Sequence, residues 1–445
     1  MEALLEPLRE LAEIEEIQKE KKEEAGLIQI TGCVGSQKTH LICALGSDCK
    51  YKLIVTSGES KAKQMYEEYR FLKETVYLYP AKDLLFYHAD LRGKQLVSSR
   101  METIQALLLG EGCTVITTFD AFMDSLLPIE MIRERVFSLK VGDTVDFEKV
   151  QKDLALLGYE REVQIEGPGQ FAVRGGILDI YPLTEEVPVR MELWDDEIDS
   201  LRTFDVESQR SIENLEEITI YPASEFMDEK AKRVSFLDYF PRKETILFLE
   251  EPARLIEQGE AVEAEFIESM KKRVETGCEV SDEEVKLFAP KEIASKMNHY
   301  PGIGLSILES KSNAFHVKKS IHLQVKGVNP YNNSFETLTR DLARLKRSGY
   351  RVILLSGSRT RAKRLAEDLR DYSLSSFYSE EMDREVQPGE ILVAYGHVDE
   401  GYEYPLLKFI VISETDIFGK KKKKKKRKVY EGQKIQSFSD LKVGD

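Results

Sequence analysis

The sequence runs to 445 residues with 42% hydrophobic side chains, too long for one ordinary core and apolar enough to build two to four of them. No apolar run approaches the ~18 residues of a membrane span, and Met1-Glu2-Ala3-Leu4-Leu5-Glu6 has neither the basic start nor the apolar stretch of a secretory leader, so the expectation is a soluble, cytoplasmic protein. Of the net charge of −15, the run Lys420 to Lys428 contributes nine positive charges and leaves −24 for the remainder, and so acidic a body is a poor vehicle for non-specific DNA binding.

Residues 1–25 have leucines at helical spacing (Leu4, Leu8, Leu11) among charges, and Gly26 ends that pattern. Leu27 to Ile30 then reads as a strand that enters a glycine-rich loop, with a helix from about Lys38. Further strands are expected at Lys52–Thr56, Thr75–Leu78 and Thr114–Thr118, with helices at Lys61–Leu72 and Leu96–Leu109 between them. This alternation predicts a parallel α/β sheet whose first part is residues 1–128. From Val136 to Phe204 the texture is mostly β, punctuated by Gly142-Asp143, Gly167-Pro168-Gly169, Gly175-Gly176 and Asp195-Asp196, with one helix at Phe147–Leu157. The expectation is a small α+β domain over 129–213 inserted into the α/β domain, which resumes over 214–325 with strands at Thr245–Leu249 and Gly304–Leu308. A second, smaller α/β unit is expected over 326–418, followed by a basic linker over 419–436.

The segment Gly32-Cys33-Val34-Gly35-Ser36-Gln37-Lys38-Thr39 follows a strand and precedes a helix, the setting of a phosphate-binding loop. Lys38 is the residue type that reaches phosphate oxygens and Thr39 the type that holds Mg²⁺. The position before the lysine, however, is Gln37 where such loops need a glycine for the backbone to close on phosphates. Ile246-Leu247-Phe248-Leu249-Glu250-Glu251-Pro252 stands where a metal-binding strand would end in Asp-Glu, with Glu250 in place of the aspartate. The third unit has no sequence that supplies an arginine finger. These losses predict a degenerate phosphate loop (Gly32, Gly35, Ser36, Gln37, Lys38, Thr39), a degenerate acidic strand end (Glu250, Glu251), no catalytic residue and no bound cofactor. The five cysteines form no C-x-x-C pair and the six histidines are scattered, so no metal site is expected either.

In the inserted domain, period-two alternation puts Val189, Met191 and Leu193 on one face of a strand and Arg190, Glu192 and Trp194 on the other. Arg174 lies on an earlier strand in phase with Gln170 and Ala172. Arginines beside the sole tryptophan of the chain have the composition of an interaction hot spot.

Several of these stretches together carry a resemblance. Gly35-Ser36-Gln37-Lys38-Thr39, Tyr79-Pro80-Ala81-Lys82-Asp83, Glu166-Gly167-Pro168-Gly169-Gln170-Phe171, the run Arg174-Gly175-Gly176-Ile177-Leu178-Asp179-Ile180-Tyr181-Pro182 and Phe204-Asp205-Val206-Glu207-Ser208-Gln209-Arg210 are similar to the amino-terminal half of bacterial transcription-repair coupling factors. The same region resembles the first two domains of the excision-repair helicase UvrB. The segment Tyr77–Leu96 is too short for the tyrosine-rich hairpin of UvrB. Ser437 to Asp445 resembles the first strand of an RNA-polymerase-interaction domain. The resemblance implies a degenerate RecA/helicase-like domain with an inserted UvrA-binding domain. It implies that Arg174, Arg190 and the aromatic Trp194, with Glu192 beside them, contact UvrA. It also implies that polymerase binding, the translocase lobes with ATP and Mg²⁺, and double-stranded DNA belong to parts lying beyond Asp445. The competing expectations are an ATP-dependent damage verifier of the UvrB type, a stand-alone P-loop NTPase, and a direct DNA-binding module.

Overall fold

The computed structural model describes residues 2–21, 25–72, 75–82, 94–224, 232–275, 287–309 and 313–419. The expected basic linker, the strand expected over 437–445 and most of the segment Tyr77–Leu96 lie outside the described residues.

The chain opens with α1 (Glu2–Leu5), a 3-10 turn and α2 (Ala12–Glu20). It then alternates β1 (Gly26–Thr31), α3 (Gln37–Gly46), β2 (Tyr51–Thr56), α4 (Glu59–Arg70), β3 (Val76–Tyr79), α5 (Lys94–Leu109) and β4 (Cys113–Thr118). β1 and β4 are buried along their whole length and β2 at all but one position. Their near-continuous apolar runs fit strands covered on both faces of a parallel sheet. Helix α3 is almost entirely buried. It lies under α1 and α2, with Leu4, Leu8, Ile14 and Ile17 in the same apolar cluster as Leu41, Ile42 and Leu45.

After α6 (Ile129–Arg133) the chain enters the inserted domain through β5 (Phe137–Lys140) and α7 (Phe147–Leu156). Asp146 caps α7 by accepting from the Lys149 amide at 3.0 Å. Strands β6 (Glu160–Glu162), β7 (Gln170–Arg174), β8 (Ile177–Tyr181), β9 (Val189–Trp194), β10 (Glu197–Phe204) and β11 (Ser211–Leu215) form a six-stranded sheet in the order β11-β10-β9-β8-β7-β6. β12 (Glu217–Ile220) returns to pair antiparallel with β5, so the chain enters and leaves through one two-stranded ribbon. α7 covers one face of the sheet, with Val150 and Leu154 packed on Leu178, Ile180, Val189 and Met191.

The expected boundaries of this domain need correction. Ile129 and Ile132 of α6 pack into the core of the first domain, while β12 and the last residues of β11 lie beyond residue 213. Ser211–Leu215 is an edge strand exposed along most of its length, so it lacks the apolar alternation that marks strands in sequence. β12 becomes recognisable only through its pairing with β5.

The first domain is completed by β13 (Thr245–Glu250), α8 (Pro252–Glu275), α9 (Pro290–Met297), β14 (Pro301–Leu305) and β15 (Val317–His322). Its seven strands run β15-β1-β14-β13-β2-β4-β3, and every pairing is parallel. The strand expected at Gly304–Leu308 begins and ends three residues earlier, at Pro301–Leu305. The third unit holds β16 (Lys326–Gly327), α10 (Phe335–Arg347), β17 (Arg351–Ser356), α11 (Arg359–Asp371), β18 (Phe377–Ser379), β19 (Ile391–Tyr395), β20 (Tyr402–Tyr404), β21 (Phe409–Ser413) and α12 (Glu414–Phe418). Its sheet order is β16-β20-β21-β17-β19-β18. Ser334 caps α10, and the buried residues Ala362, Leu365, Ala366 and Leu369 give α11 a single apolar stripe.

The third unit is not tethered at arm's length. Leu355, Met382, Tyr402, Tyr404 and Phe409 belong to the same buried cluster as α3 and β1. At its margin Arg351 donates to Glu10 at 2.6 and 3.0 Å and to the Leu407 carbonyl at 3.1 Å. The Ala3 amide donates to Met382 O at 3.0 Å. Among the described residues no helix is long and apolar enough to cross a membrane.

Candidate functional site

Two places in this fold bring together the residue types expected to bind something: the open face of the inserted sheet, and the loop between β1 and α3.

On the inserted sheet, strand register decides which side chains meet. Ala172, Asp179, Arg190 and Arg202 are paired across β7, β8, β9 and β10, and Arg174, Ile177 and Glu192 form the next row toward the hairpin ends. Because successive rows on one face lie two residues apart, Arg174, Arg190, Glu192 and Trp194 share the face opposite α7. The sequence expectation placed them together, and the register does so. Their states differ. Arg190 is held by Asp179 in a two-pronged pair (Nε to Oδ1 2.6 Å, Nη2 to Oδ2 2.9 Å) and also donates to Gln209 Oε1 at 2.8 Å. Its guanidinium lies 4.3 Å from the centre of the Phe204 ring. The Asp179 hydrogen bonds push its pKa up despite partial burial. Glu192 is joined to Arg202. Arg174, by contrast, is exposed and, among the described residues, donates only to the carbonyl of Val163, at 3.3 and 3.4 Å. Trp194 stands at the rim of the sheet, 80% exposed, just before the tight turn in which Asp195 takes a positive φ of 61°. Val163 beside Arg174 is 89% exposed. An arginine facing solvent and two apolar side chains withheld from any core are what a partner-binding rim requires.

The loop after β1 has the opposite character. Ser36, Gln37, Lys38 and Thr39 are all buried. Lys38 Nζ lies 2.6 Å from Glu250 and 2.7 Å from Glu251, the two carboxylates at the end of β13. Glu251 adopts a φ of 52° there and also accepts from the Ile307 amide at 3.0 Å. The hydroxyls of Ser36 and Thr39 both donate to Glu68 of α4 at 2.5 Å, and Gln64 adds a third donor at 3.2 Å. Gln37 Nε2 donates to the Tyr404 hydroxyl at 2.9 Å. A Cβ on Gly32 would sit only 2.1 Å from the Leu323 carbonyl, so neighbouring backbone requires that glycine, and Gly35 packs against the Glu400 side chain with a φ of 35°. These residues do not fit a nucleotide phosphate, which would have to displace Glu68 and separate Lys38 from its carboxylates.

Beneath the loop, His40 is fully enclosed. Nε2 donates to the Leu4 carbonyl at 2.8 Å and Nδ1 lies 3.3 Å from the Tyr404 hydroxyl. Burial pushes its pKa down to about 4, so the ring is neutral at ordinary pH.

Sequence reasoning singled out Arg174, Arg190, Glu192, Trp194 and the whole loop, and did not name their partners Asp179, Glu68 and Tyr404. Two of these carried a usable signal. Glu68 stands three residues from Met65 and next to Tyr69 on the buried side of α4, a carboxylate where the helix period calls for an apolar residue. Asp179 interrupts the apolar run Ile177-Leu178-Asp179-Ile180. Among the described residues no group of His, Cys, Asp and Glu is arranged to hold a metal ion.

Comparison with known proteins bears on the first of the two places. Residues 137–226 match the family described as the UvrB interaction domain, nearly the span from β5 to β12. Over 94% of its length the chain is 27% identical to the transcription-repair-coupling factor of Bacillus subtilis. The corresponding proteins of Staphylococcus epidermidis and Staphylococcus aureus are 26% and 25% identical over the same share. The chain is a relative of the transcription-repair-coupling factors. It spans 40% of the length of the curated relatives it matches. Its own architecture is mixed α/β, with a parallel sheet that carries an inserted β domain.

Proposed function

We propose that this chain recruits the damage-recognition protein UvrA through the open face of its inserted sheet, acting in the cytoplasm and without turning over nucleotide. The observation that carries the reading is the rim itself. Trp194 and Val163 are exposed apolar side chains, and on the same face Arg174, beside Val163, offers a guanidinium that no carboxylate neutralises among the described residues. A matching surface would cover the indole and bring an acidic or carbonyl-rich group to Arg174, a charge-assisted contact that fixes orientation. The match of residues 137–226 to a domain named for UvrB supports the mimicry of UvrB by this face. Arg190 and Glu192 contribute through the shape of the sheet, because Asp179 and Arg202 already occupy their charges.

The same reading assigns ATP, Mg²⁺, RNA polymerase and double-stranded DNA to regions of the longer relatives that this chain does not match. The burial of Lys38 between Glu250 and Glu251 supports the absence of an ATPase here.

Titration calorimetry against purified UvrA tests the docking half. Trp194→Ala should weaken binding by about 2 kcal/mol, roughly thirtyfold, at an unchanged melting temperature. Undiminished affinity in a Trp194→Ala, Arg174→Ala double variant would defeat it. A fluorescent ATP analogue that bound with Mg²⁺ at micromolar concentration would defeat the second half.

A further inference from the structure

The phosphate loop of this chain is more than a damaged site, because the residues that spoil it for phosphate are the ones that touch the third unit. We infer that the loop between β1 and α3 has become a docking socket for the third unit, with Glu68 standing in the anion position and Gln37 selecting the occupant.

Four contacts carry this. Gln37 stands where a phosphate loop keeps glycine, and its side chain is fully buried with both ends satisfied: Oε1 accepts from the Val34 amide at 3.3 Å and Nε2 donates to Tyr404 of β20 at 2.9 Å. The Tyr404 hydroxyl can then donate to His40 Nδ1, whose other nitrogen is fixed by Leu4. Donor and acceptor therefore alternate without a gap from the loop, through the third unit, to the amino-terminal helix. Ser36 donates to Glu68 and accepts from the backbone amide of Glu400 at 3.1 Å. Glu68 in turn accepts from the Asp399 amide at 3.2 Å. The loop hydroxyls and the Asp399 amide thus close on one buried carboxylate, as donors of such a loop would close on a phosphate, while the Glu400 amide is held by Ser36. Gly35 packs against the Glu400 side chain.

The consequence is exclusion. A phosphate-bearing ligand and the third unit would compete for the same hydroxyls and the same space, so the chain can hold one or the other. This inference is independent of UvrA binding, since the socket lies in the first domain and the rim in the inserted one.

The test is amide hydrogen exchange on the full chain, following Asp399 and Glu400, whose amides bond across the socket, against Val352–Leu355 within the third unit's own sheet. Gln37→Gly restores the phosphate-loop glycine. Tyr404→Phe removes a single hydroxyl and keeps the ring, which guards against the first variant failing to fold. Both should raise exchange at Asp399 and Glu400 at least tenfold and leave Val352–Leu355 within twofold. MgATP binding to Gln37→Gly accompanied by loss of that protection would also support the socket. Protection at Asp399 and Glu400 unchanged in both variants would overturn it. So would MgATP binding to Gln37→Gly while the two amides stay protected.

Discussion

Lys38 and Arg174 are both basic side chains near glycines at the margin of a sheet, and the fold treats them in opposite ways. Lys38 is buried between Glu250 and Glu251, its loop roofed by the third unit. Arg174 reaches solvent on the same sheet face as Trp194 and, among the described residues, touches only the Val163 carbonyl. The difference lies in what faces each strand end. β1 is an interior strand with β14 and β15 on either side and a buried helix following it, so any charge placed there must be matched from within. β7 ends in a hairpin at the exposed rim of its sheet, where the charge of Arg174 stays hydrated and remains available. Binding chemistry in the sequence therefore marks a binding site only where the fold leaves its charge unmatched.

Substitutions can break or sharpen that contrast. The largest effect is expected at Lys38→Met, which strands the buried Glu250 and the half-buried Glu251 and should cost about 3–5 kcal/mol in chemical denaturation at neutral pH. A loss under 1 kcal/mol would mean the ion pair is not the reason for the lysine. Next comes Arg190→Ala. It leaves Asp179 buried without its partner and should destabilise the inserted domain by about 3 kcal/mol. If Arg190 were a contact residue only, as strand alternation alone suggests, the same change would weaken UvrA binding by about 2 kcal/mol with the fold intact. The Asp179 pair instead ties any binding loss to a lowered melting transition. An unshifted transition with weakened binding would restore Arg190 to the contact surface.

Trp194→Ala sits on the other side of the comparison, with about 2 kcal/mol lost from UvrA binding and almost nothing from stability. The smallest effect per step is a slope with pH at the socket, read per pH unit. His40 titrates at about 4 in the folded chain against an ordinary value of 6.5, so below pH 6.5 the unfolded chain takes up a proton that the folded chain refuses. Stability should fall by about 1.4 kcal/mol per unit as the pH drops from 6.5 toward 4, and level off below that. His40→Gln should flatten this stretch of the stability curve, and an unchanged slope would remove His40 as its source.

Much of the fold is legible in the residues themselves. Strands with unbroken apolar runs, such as Leu53-Ile54-Val55 and Val352-Ile353-Leu354-Leu355, declare themselves by composition, and period two alone puts Arg190, Glu192 and Trp194 on one face. What stays hidden depends on register and on distance along the chain. Asp179 meets Arg190 because β8 pairs with β9 in one particular alignment, and period two says nothing about which alignment. Tyr404 lies 367 residues from Gln37, and no local pattern connects them. The exposed strand Ser211–Leu215 escapes for a third reason: it buries too little to leave a periodic trace.

The two-stranded ribbon of β5 and β12 also sets an order of events during synthesis. All the strands of the inserted sheet, and the ribbon that anchors it, have emerged soon after residue 220 has been made. β1 lies between β14 and β15, so it cannot gain either neighbour until the ribosome has passed residues 301 to 322. The guest can fold while its host is still waiting for its central strands. For that interval the nascent chain would hold a finished partner-binding face on an unfinished body, with the long-range pairings that close the larger sheet coming last.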